Sequence, residues 1–460
     1  MFQMKLPDTI LKFATIFKNN NFSLFLVGGA VRDALLGEEQ FDYDFTTDAT
    51  PEQVMSIFKK VIPVGIDHGT VLVLFGNSEF EVTTFRTEGK YSDNRRPDSV
   101  SFVNTIDEDL KRRDFTINAI AYDIFEEKFI DLFNGAGDIQ SKIIKAIGNP
   151  AERFQEDALR MLRACRFASK LEFTIEHETL QAITSHCELI KNISSERIRD
   201  ELIKLMGTKK PSIGLEIMRI TGLMNIIMPE LLAGYGIEQN RFHAFDVYYH
   251  NLYSCDAAPA NNYQVRLAAL FHDIAKPQTS HGKPDDEGNS FYNHEIIGSK
   301  MTYRIMRRLK FSKSDLDTVS HLIRYHMFYY TAEWTDGAVR RFLRNVGVEN
   351  LDNLFLLRDA DRVGNGTKHG IPKTFLDFKE KIVAIIADDN ALKVTDLAIN
   401  GNDLISALGL KPGKIIGEIL NYLLELVLDT PDLNTNKKLI ESAKEYYNNK
   451  ESHSTNEEKN

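Results

Sequence analysis

The sequence predicts an α+β fold: an α/β head followed by a long all-α body. Three observations predict it. From Ser23 to about Leu132, short β-type runs alternate with helical segments. After Gly148 the apolar pattern is helical almost throughout. Pro150, Pro211, Pro229, Pro259, Pro277, Pro372 and Pro412 then cut that pattern into segments. At about 150 residues per domain, a chain of 460 residues has room for roughly three.

The elements follow in order. Leu6, Ile10, Phe13 and Phe17 recur at helical spacing with Pro7 in the first turn, so residues 6–18 predict an amphipathic helix. Phe22–Val27 predicts a strand, Ala30–Leu36 a helix, Asp42–Thr46 a strand, and Pro51–Phe58 a helix opened by its proline. Val71–Phe75 and Phe80–Phe85 predict paired strands around Gly76–Ser78. The polar stretch Thr87–Pro97, with Arg95 and Arg96, predicts a mobile loop. Ala233–Asn240 and Gly364–Gly370 mark boundaries in the body, and polar Asn448–Asn460 predicts a disordered tail. The expected division is a head (1–140), a helical neck (141–240), a third domain (241–370), a helical C-terminal region (371–447) and the tail (448–460).

Lys and Arg number 56 against 66 Asp and Glu, a net charge of −10. That excludes binding nucleic acid by bulk positive charge; any polynucleotide site must be a local basic patch. Cys165, Cys187 and Cys255 are too few and scattered for a disulfide scaffold or zinc knuckle. The first residues lack the basic start, apolar core and cleavage site of a secretion signal, and no apolar run approaches the ~20 residues that span a bilayer. A cytoplasmic protein without membrane contact is expected.

Three head segments carry chemistry. Leu26-Val27-Gly28-Gly29-Ala30-Val31-Arg32-Asp33 is a strand entering a helix through two glycines, which lets backbone N–H groups approach phosphate oxygens. In Asp42-Tyr43-Asp44, side chains two apart on a strand share a face, so two carboxylates stand together and call for a divalent cation. In Phe80-Glu81-Val82, Glu81 alternates against apolar neighbours, and a third carboxylate would complete a two-metal site; Glu79 points the same way. This succession resembles the nucleotidyltransferase superfamily of DNA polymerase beta. Arg112-Arg113-Asp114-Phe115-Thr116-Ile117-Asn118-Ala119 and Glu156-Asp157-Ala158-Leu159-Arg160 narrow it, resembling the bacterial-type (class II) tRNA nucleotidyltransferase and poly(A) polymerase family from about residue 22 to 205.

The resemblance implies template-independent addition of C, C and A to tRNA from CTP and ATP. Asp42, Asp44 and Glu81 would be catalytic, with Mg2+ on Asp42 and Asp44. Gly28, Gly29 and Arg32 would take the triphosphate, and Arg113, Asp114 and Asn118 the sugar and phosphates. If Arg112 and Arg113 were merely a surface pair, Asp114 would be their partner. Asp157 and Arg160, at i and i+3 on one helix, would reach a single point. A carboxylate accepts and a guanidinium donates, matching the edges of cytosine and adenine; uracil and guanine would be left with unpaired groups at roughly 1–3 kcal/mol each. Arg163, with Arg153, Arg166 and Lys170, would crowd the nucleotide and acceptor stem.

Within the family, Arg86–Pro97 resembles the loop that A addition requires, which disfavours a CC-only member. Val64–Thr70 resembles the G-x-x-H-G-T of CCA-adding members, which disfavours a poly(A) polymerase. An A-adding enzyme stays open. Leu408–Lys414 resembles the family's C-terminal region, as a turn or a phosphate-holding start.

A second constellation lies downstream. Phe271-His272-Asp273 follows an apolar helix, His250 precedes it by 22 residues, and Asp361 ends a later helical run. Imidazoles and carboxylates on packed helices suit a transition metal of the nickel or manganese class. The set resembles the HD phosphohydrolase superfamily, with His294 and His326 as extra candidates, Asp359 competing with Asp361, and His243 with His250. Readings from other classes are an HD hydrolase with an inactive head, or a non-catalytic RNA-binding module; the carboxylates at Asp42, Asp44 and Glu81 argue against both.

Overall fold

The computed structural model describes residues 4–39, 43–88, 100–239, 244–282, 289–367, 370, 372–387 and 392–457. Nine strands build the described part of the head: β1 (Leu24–Val27), β2 (Asp44–Thr47), β3 (Val61–Gly65), β4 (Thr70–Phe75), β5 (Ser78–Thr84), β6 (Arg86–Glu88), β7 (Val100–Phe102), β8 (Ile120–Asp123) and β9 (Lys128–Asp131). Seven of them form one sheet in the order β3-β4-β5-β2-β1-β8-β9, while β6 and β7 make a separate ribbon. β2 and β5 run parallel, and the other neighbours in the sheet run antiparallel. The parallel pair matters most, because it sets Asp44 opposite Glu81.

The helix Asp8–Asn19 packs Phe13 and Phe17 under the sheet, where Phe13 meets Phe45, Phe58, Phe75 and Phe80 at centroid distances of 4.7–5.5 Å. Such aromatic clusters bury large apolar area and hold the strands rigid behind the site. Thr50 caps Pro51–Ile57 through a reciprocal capping box with Gln53.

Past residue 148 the described chain is nearly all helical, and one continuous core runs from head to HD region. The C-terminal region has its own core, including Leu404, Leu423, Val427 and Leu439. Gly409, at φ +64°, ends the helix Gly401–Leu408, so Leu408–Lys414 is a turn between helices. The disordered tail expected from residue 448 is corrected as far as residue 457: the last helix spans Asn436–Glu457, and residues 458–460 lie outside those described. Ahead of that stretch Tyr446 stacks on Tyr422 at 4.3 Å, and within it Lys450 pairs with Glu418. Among the described residues, no helix is long and apolar enough to cross a membrane.

Two candidate active sites

β1 ends at Val27, paired with Asp44, and the chain turns through Gly28 at φ +71°. A side chain there would be strained, and its Cβ would sit 3.6 Å from Asp44 Oδ2 and 3.7 Å from Arg113 Nη1. Asp44 and Glu81, side by side on β2 and β5, open into a cavity of about 680 Å³. Glu79 lines a different cavity with Ile57 and Phe75, so the two acids part company. Asp42 and His243 lie outside the described residues.

The same cavity takes in Gly28, Gly29, Arg32, Arg113, Asp114, Asn118, Asp157, Arg160 and Arg163. It also gathers Arg86, Arg112, Arg166, Arg197 and Lys204, so nine cations face four carboxylates in a chain of net charge −10. Buried acids hold these cations in place. Asp109, fully buried, binds Arg112 at 2.7 Å and Arg113 at 3.0 Å; this corrects Asp114 as their partner. Burial alone would raise the Asp109 pKa, but Arg113 and Arg112 hold it low. Asp114 instead accepts from Arg163 Nη2 at 2.6 Å and from Asn118 Nδ2 at 3.2 Å. Burial opposes its ionisation, yet Arg163 and Asn118 bring it down to about 2. Arg32 is equally committed, donating to Asn118 Oδ1 at 2.6 Å and Asp33 Oδ1 at 2.8 Å. Glu201 anchors Arg166 at 2.6 Å, and Phe167 lies under Arg32, Arg163 and Arg166 at 4.3–5.5 Å. Lys170 and Arg153 pair with Asp33 and Glu156.

The structure corrects the placement of Asp157 and Arg160 on one helix. Asp157 is extended, with φ −140° and ψ 103°, and ends the helix Pro150–Glu156; the next helix, Leu159–Leu171, begins two residues later. Its Oδ1 accepts from the Leu159 N–H at 3.0 Å, the local side chain–backbone bond that lets Asp interrupt a helix. The carboxylate then meets Arg197 in a two-pronged pair at 2.7 and 3.2 Å. Arg160 donates to Glu156 Oε2 at 2.5 Å and to the Arg112 carbonyl at 2.9 Å. Both residues still line the cavity, brought there by a break rather than by helical spacing.

In the segment Val64–Thr70, Gly69 lies at φ +75° with Phe102 where a Cβ would go. The His68 carbonyl accepts from Arg86, and Thr70 reaches the cavity. The expected loop starts as a strand: Arg86–Glu88 is β6, paired with β7, which corrects a mobile stretch at Thr87 and Glu88, and the loop's residues 89–97 lie outside those described.

The HD residues converge from separate helices. His250 Nε2 lies 3.1 Å from His272 Nε2, 3.3 Å from Asp273 Oδ2 and 3.2 Å from Asp361 Oδ1. His294 and His326 approach the other oxygen, Asp273 Oδ1, at 3.2 and 3.8 Å. Asp359 lies away from this cluster, 3.9 Å from Lys379. The Nδ1 atoms of His272, His294 and His326 contact the carbonyls of Ala269, Phe291 and Ile323 at 2.7–2.8 Å, which assigns each N–H to Nδ1. Nε2 of His294 and of His326 is buried without a hydrogen-bond partner. A bare nitrogen 3.2 Å from a carboxylate oxygen is two acceptors face to face, an arrangement that a bound cation resolves. Burial pulls His272 down, but Asp273 and Asp361 outweigh it and hold the ring up to about 10. Lys276, 2.5 Å from Asp273 Oδ2, adds a cation that motif reading missed although it lies only three residues along.

Comparison with known proteins matches both regions of the chain. The chain matches the Poly A polymerase head domain over residues 24–145, the probable RNA and SrmB-binding site of polymerase A over 172–234, and the HD domain over 243–366. It is 34% identical over 452 residues to a CCA-adding enzyme of Ligilactobacillus salivarius, covering 95% of this chain and 97% of that one. It is 52% identical over 204 residues to the CCA-adding enzyme of Lactobacillus helveticus, an alignment spanning 44% of this chain and 51% of the relative. The crystal structure of the Bacillus stearothermophilus CCA-adding enzyme in complex with CTP superposes with a TM-score of 0.75 at 30% identity, covering 98% of this chain and all of that one. Fold, cavity and likeness over nearly the whole length agree: the chain belongs to the CCA-adding enzyme family of nucleotidyltransferases.

Proposed function

We propose that this chain adds C, C and A to the 3′ end of tRNA, taking CTP and ATP as substrates. The observation that supports it is the parallel register of Asp44 and Glu81 at the floor of a cation-walled cavity. Their hard oxygen donors fit Mg2+, with Asp42 completing the set. Magnesium held there would lower the pKa of the RNA 3′-hydroxyl and stabilise the leaving pyrophosphate. The cavity's guanidiniums bind the triphosphate, with Arg113 and Arg163 held by Asp109 and Asp114 so that little reorganisation is needed. The 3′-oxygen bonds to the α-phosphorus, the α–β phosphoanhydride bond breaks, and the hydroxyl proton passes to solvent. Asp157 accepts from the amino group of cytosine or adenine, and Arg160 donates to the neighbouring ring acceptor. The test offers the full chain tRNA transcripts ending before CCA, after CC or complete, with each nucleotide singly and together, and sequences the 3′ ends. C, C and A in that order is expected; A without C would make it an A-adding enzyme.

The buried cluster favours a second activity, phosphohydrolysis, supported by the inward-facing imidazole nitrogens. His250, His272, Asp273 and Asp361 would hold a nickel- or manganese-class ion that activates water. The substrate is a 2′,3′-cyclic phosphate at an RNA end: water adds to phosphorus, one P–O ester bond breaks, and a phosphomonoester remains. A second hydrolysis releases phosphate and frees the hydroxyl that the head extends. Metal-loaded protein should convert cyclic-ended RNA into extendable RNA.

A further inference from the structure

Arg112 and Arg113 follow the helix Ile106–Lys111, and one carboxylate of that helix takes both side chains. Asp109 Oδ1 accepts from Arg112 Nε at 2.9 Å and Nη2 at 2.7 Å, and Oδ2 accepts from Arg113 Nη2 at 3.0 Å. The peptide joining the two arginines is thus clamped through both its neighbours. Its N–H donates to the Leu110 carbonyl at 3.3 Å, and its carbonyl, that of Arg112, accepts from Arg160 Nη2 at 2.9 Å. The carbonyl before it, of Lys111, accepts from Arg153 Nη1 at 3.2 Å. Arg160 completes its own setting with Nη1, which donates to Glu156 and to the Arg153 carbonyl. A turn of the head therefore holds one prong of the Arg160 fork.

Asp109 is 0% exposed, so it touches neither nucleotide nor RNA, and its influence passes through the residues it holds. Burying an ion cluster costs desolvation that offsets much of the attraction, so what such a cluster yields is a fixed geometry more than stability. The geometry fixed by Asp109 bears on both halves of a nucleotide. Arg112 and Arg113 line the cation-walled cavity, and the carbonyl between them aims Arg160. A guanidinium donates only in its own plane, so releasing one prong tilts the whole fork. We propose that Asp109 is a positioning residue for base selection, setting the plane of Arg160 through the Arg112 carbonyl. The assignment rests on the reading that Arg160 donates to the base, and adds to it the buried acid that fixes the angle of that donation.

The test measures kcat/KM of the full chain for CTP against UTP on a tRNA transcript ending before CCA, and for ATP against GTP on one ending in CC. All four nucleotides carry the same triphosphate, so any loss of phosphate binding cancels in these ratios. Asp109→Asn keeps the shape of the buried side chain. Arg112→Gln loosens the same turn from a residue that is 16% exposed, and decides the matter if the buried change unfolds the head. Each should lower both ratios about tenfold. Placed on top of Arg160→Ala, Asp109→Asn should move the ratios by less than about twofold while still raising KM for every nucleotide, because its route to the base is already cut. Ratios within about twofold of wild type in both single variants would overturn the assignment, as would a full further loss in the Arg160→Ala background. Failure of the underlying reading has its own mark. Arg160→Ala would then keep the wild-type ratios, whereas ratios lost in Arg160→Ala and kept in the other two single variants defeat the role of Asp109 alone.

Discussion

In the head, Asp44 and Glu81 stand on the floor of an open cavity walled by nine cations; in the HD cluster, Asp273 is 2% exposed and ringed by imidazoles. The open site leaves oxygen donors for a hard cation and surrounds them with guanidiniums for a polyanion. The closed site sets Nδ1 of His272, His294 and His326 on backbone carbonyls and turns their Nε2 inward. One is organised around an arriving ligand, the other around a resident ion. Replacing a residue in either site should therefore leave the other working.

The largest effect tests that independence from the head. Asp44→Ala should slow C addition roughly a thousandfold in single-turnover assays, since it removes a metal ligand. Hydrolysis of a cyclic-ended RNA by the same variant should match wild type, and parallel loss would join the two sites. Next, His272→Ala with Asp273→Ala should eliminate bound transition metal and hydrolysis while CCA addition continues; metal analysis and 3′-end sequencing of one preparation decide it.

A smaller effect sharpens the account of the head. Asp157→Ala should narrow the preference for CTP and ATP over UTP and GTP by about ten- to a hundredfold, measured as ratios of kcat/KM. A common slowing of all four nucleotides would make Asp157 a structural joint only. The smallest effect concerns stability. The pKa of Asp114 is lowered to about 2, so its ionised pairing stabilises the fold above the unfolded value near 4 and is lost as pH falls through about 2. Urea midpoints of wild type and Asp114→Asn should differ near neutrality and converge between about pH 4 and pH 2.

Most of the head's candidate residues meet in one cavity, and they were legible because their motifs are contiguous. The alternation around Glu81 placed an acid on a polar face, although only the parallel β2–β5 register shows that it meets Asp44. Glu79 could not be set aside without knowing which end of the strand faces the cavity. The Asp157–Arg160 spacing misled because a side-chain bond to the Leu159 N–H breaks the helix that the spacing assumed. Asp109 was legible in principle, at i−3 and i−4 from Arg112 and Arg113, but an acid in an acidic stretch gives no sign of being buried. The HD residues were readable only as separate positions along the chain. Their convergence around both oxygens of Asp273 is long-range, and no local pattern encodes it.

The cation-lined cavity inside a chain of net charge −10 has a consequence for how a polyanion finds it. Beyond a screening length of about 8 Å both the net repulsion and the local attraction are damped, so the guanidiniums draw phosphates only at close range. A duplex flank passing alongside gains little and pays the repulsion. A single-stranded terminus, narrow enough to enter, reaches the attractive zone and leaves most of the like charge behind it. At this cavity the charge distribution thus favours a nucleic-acid end over a side before any base is read.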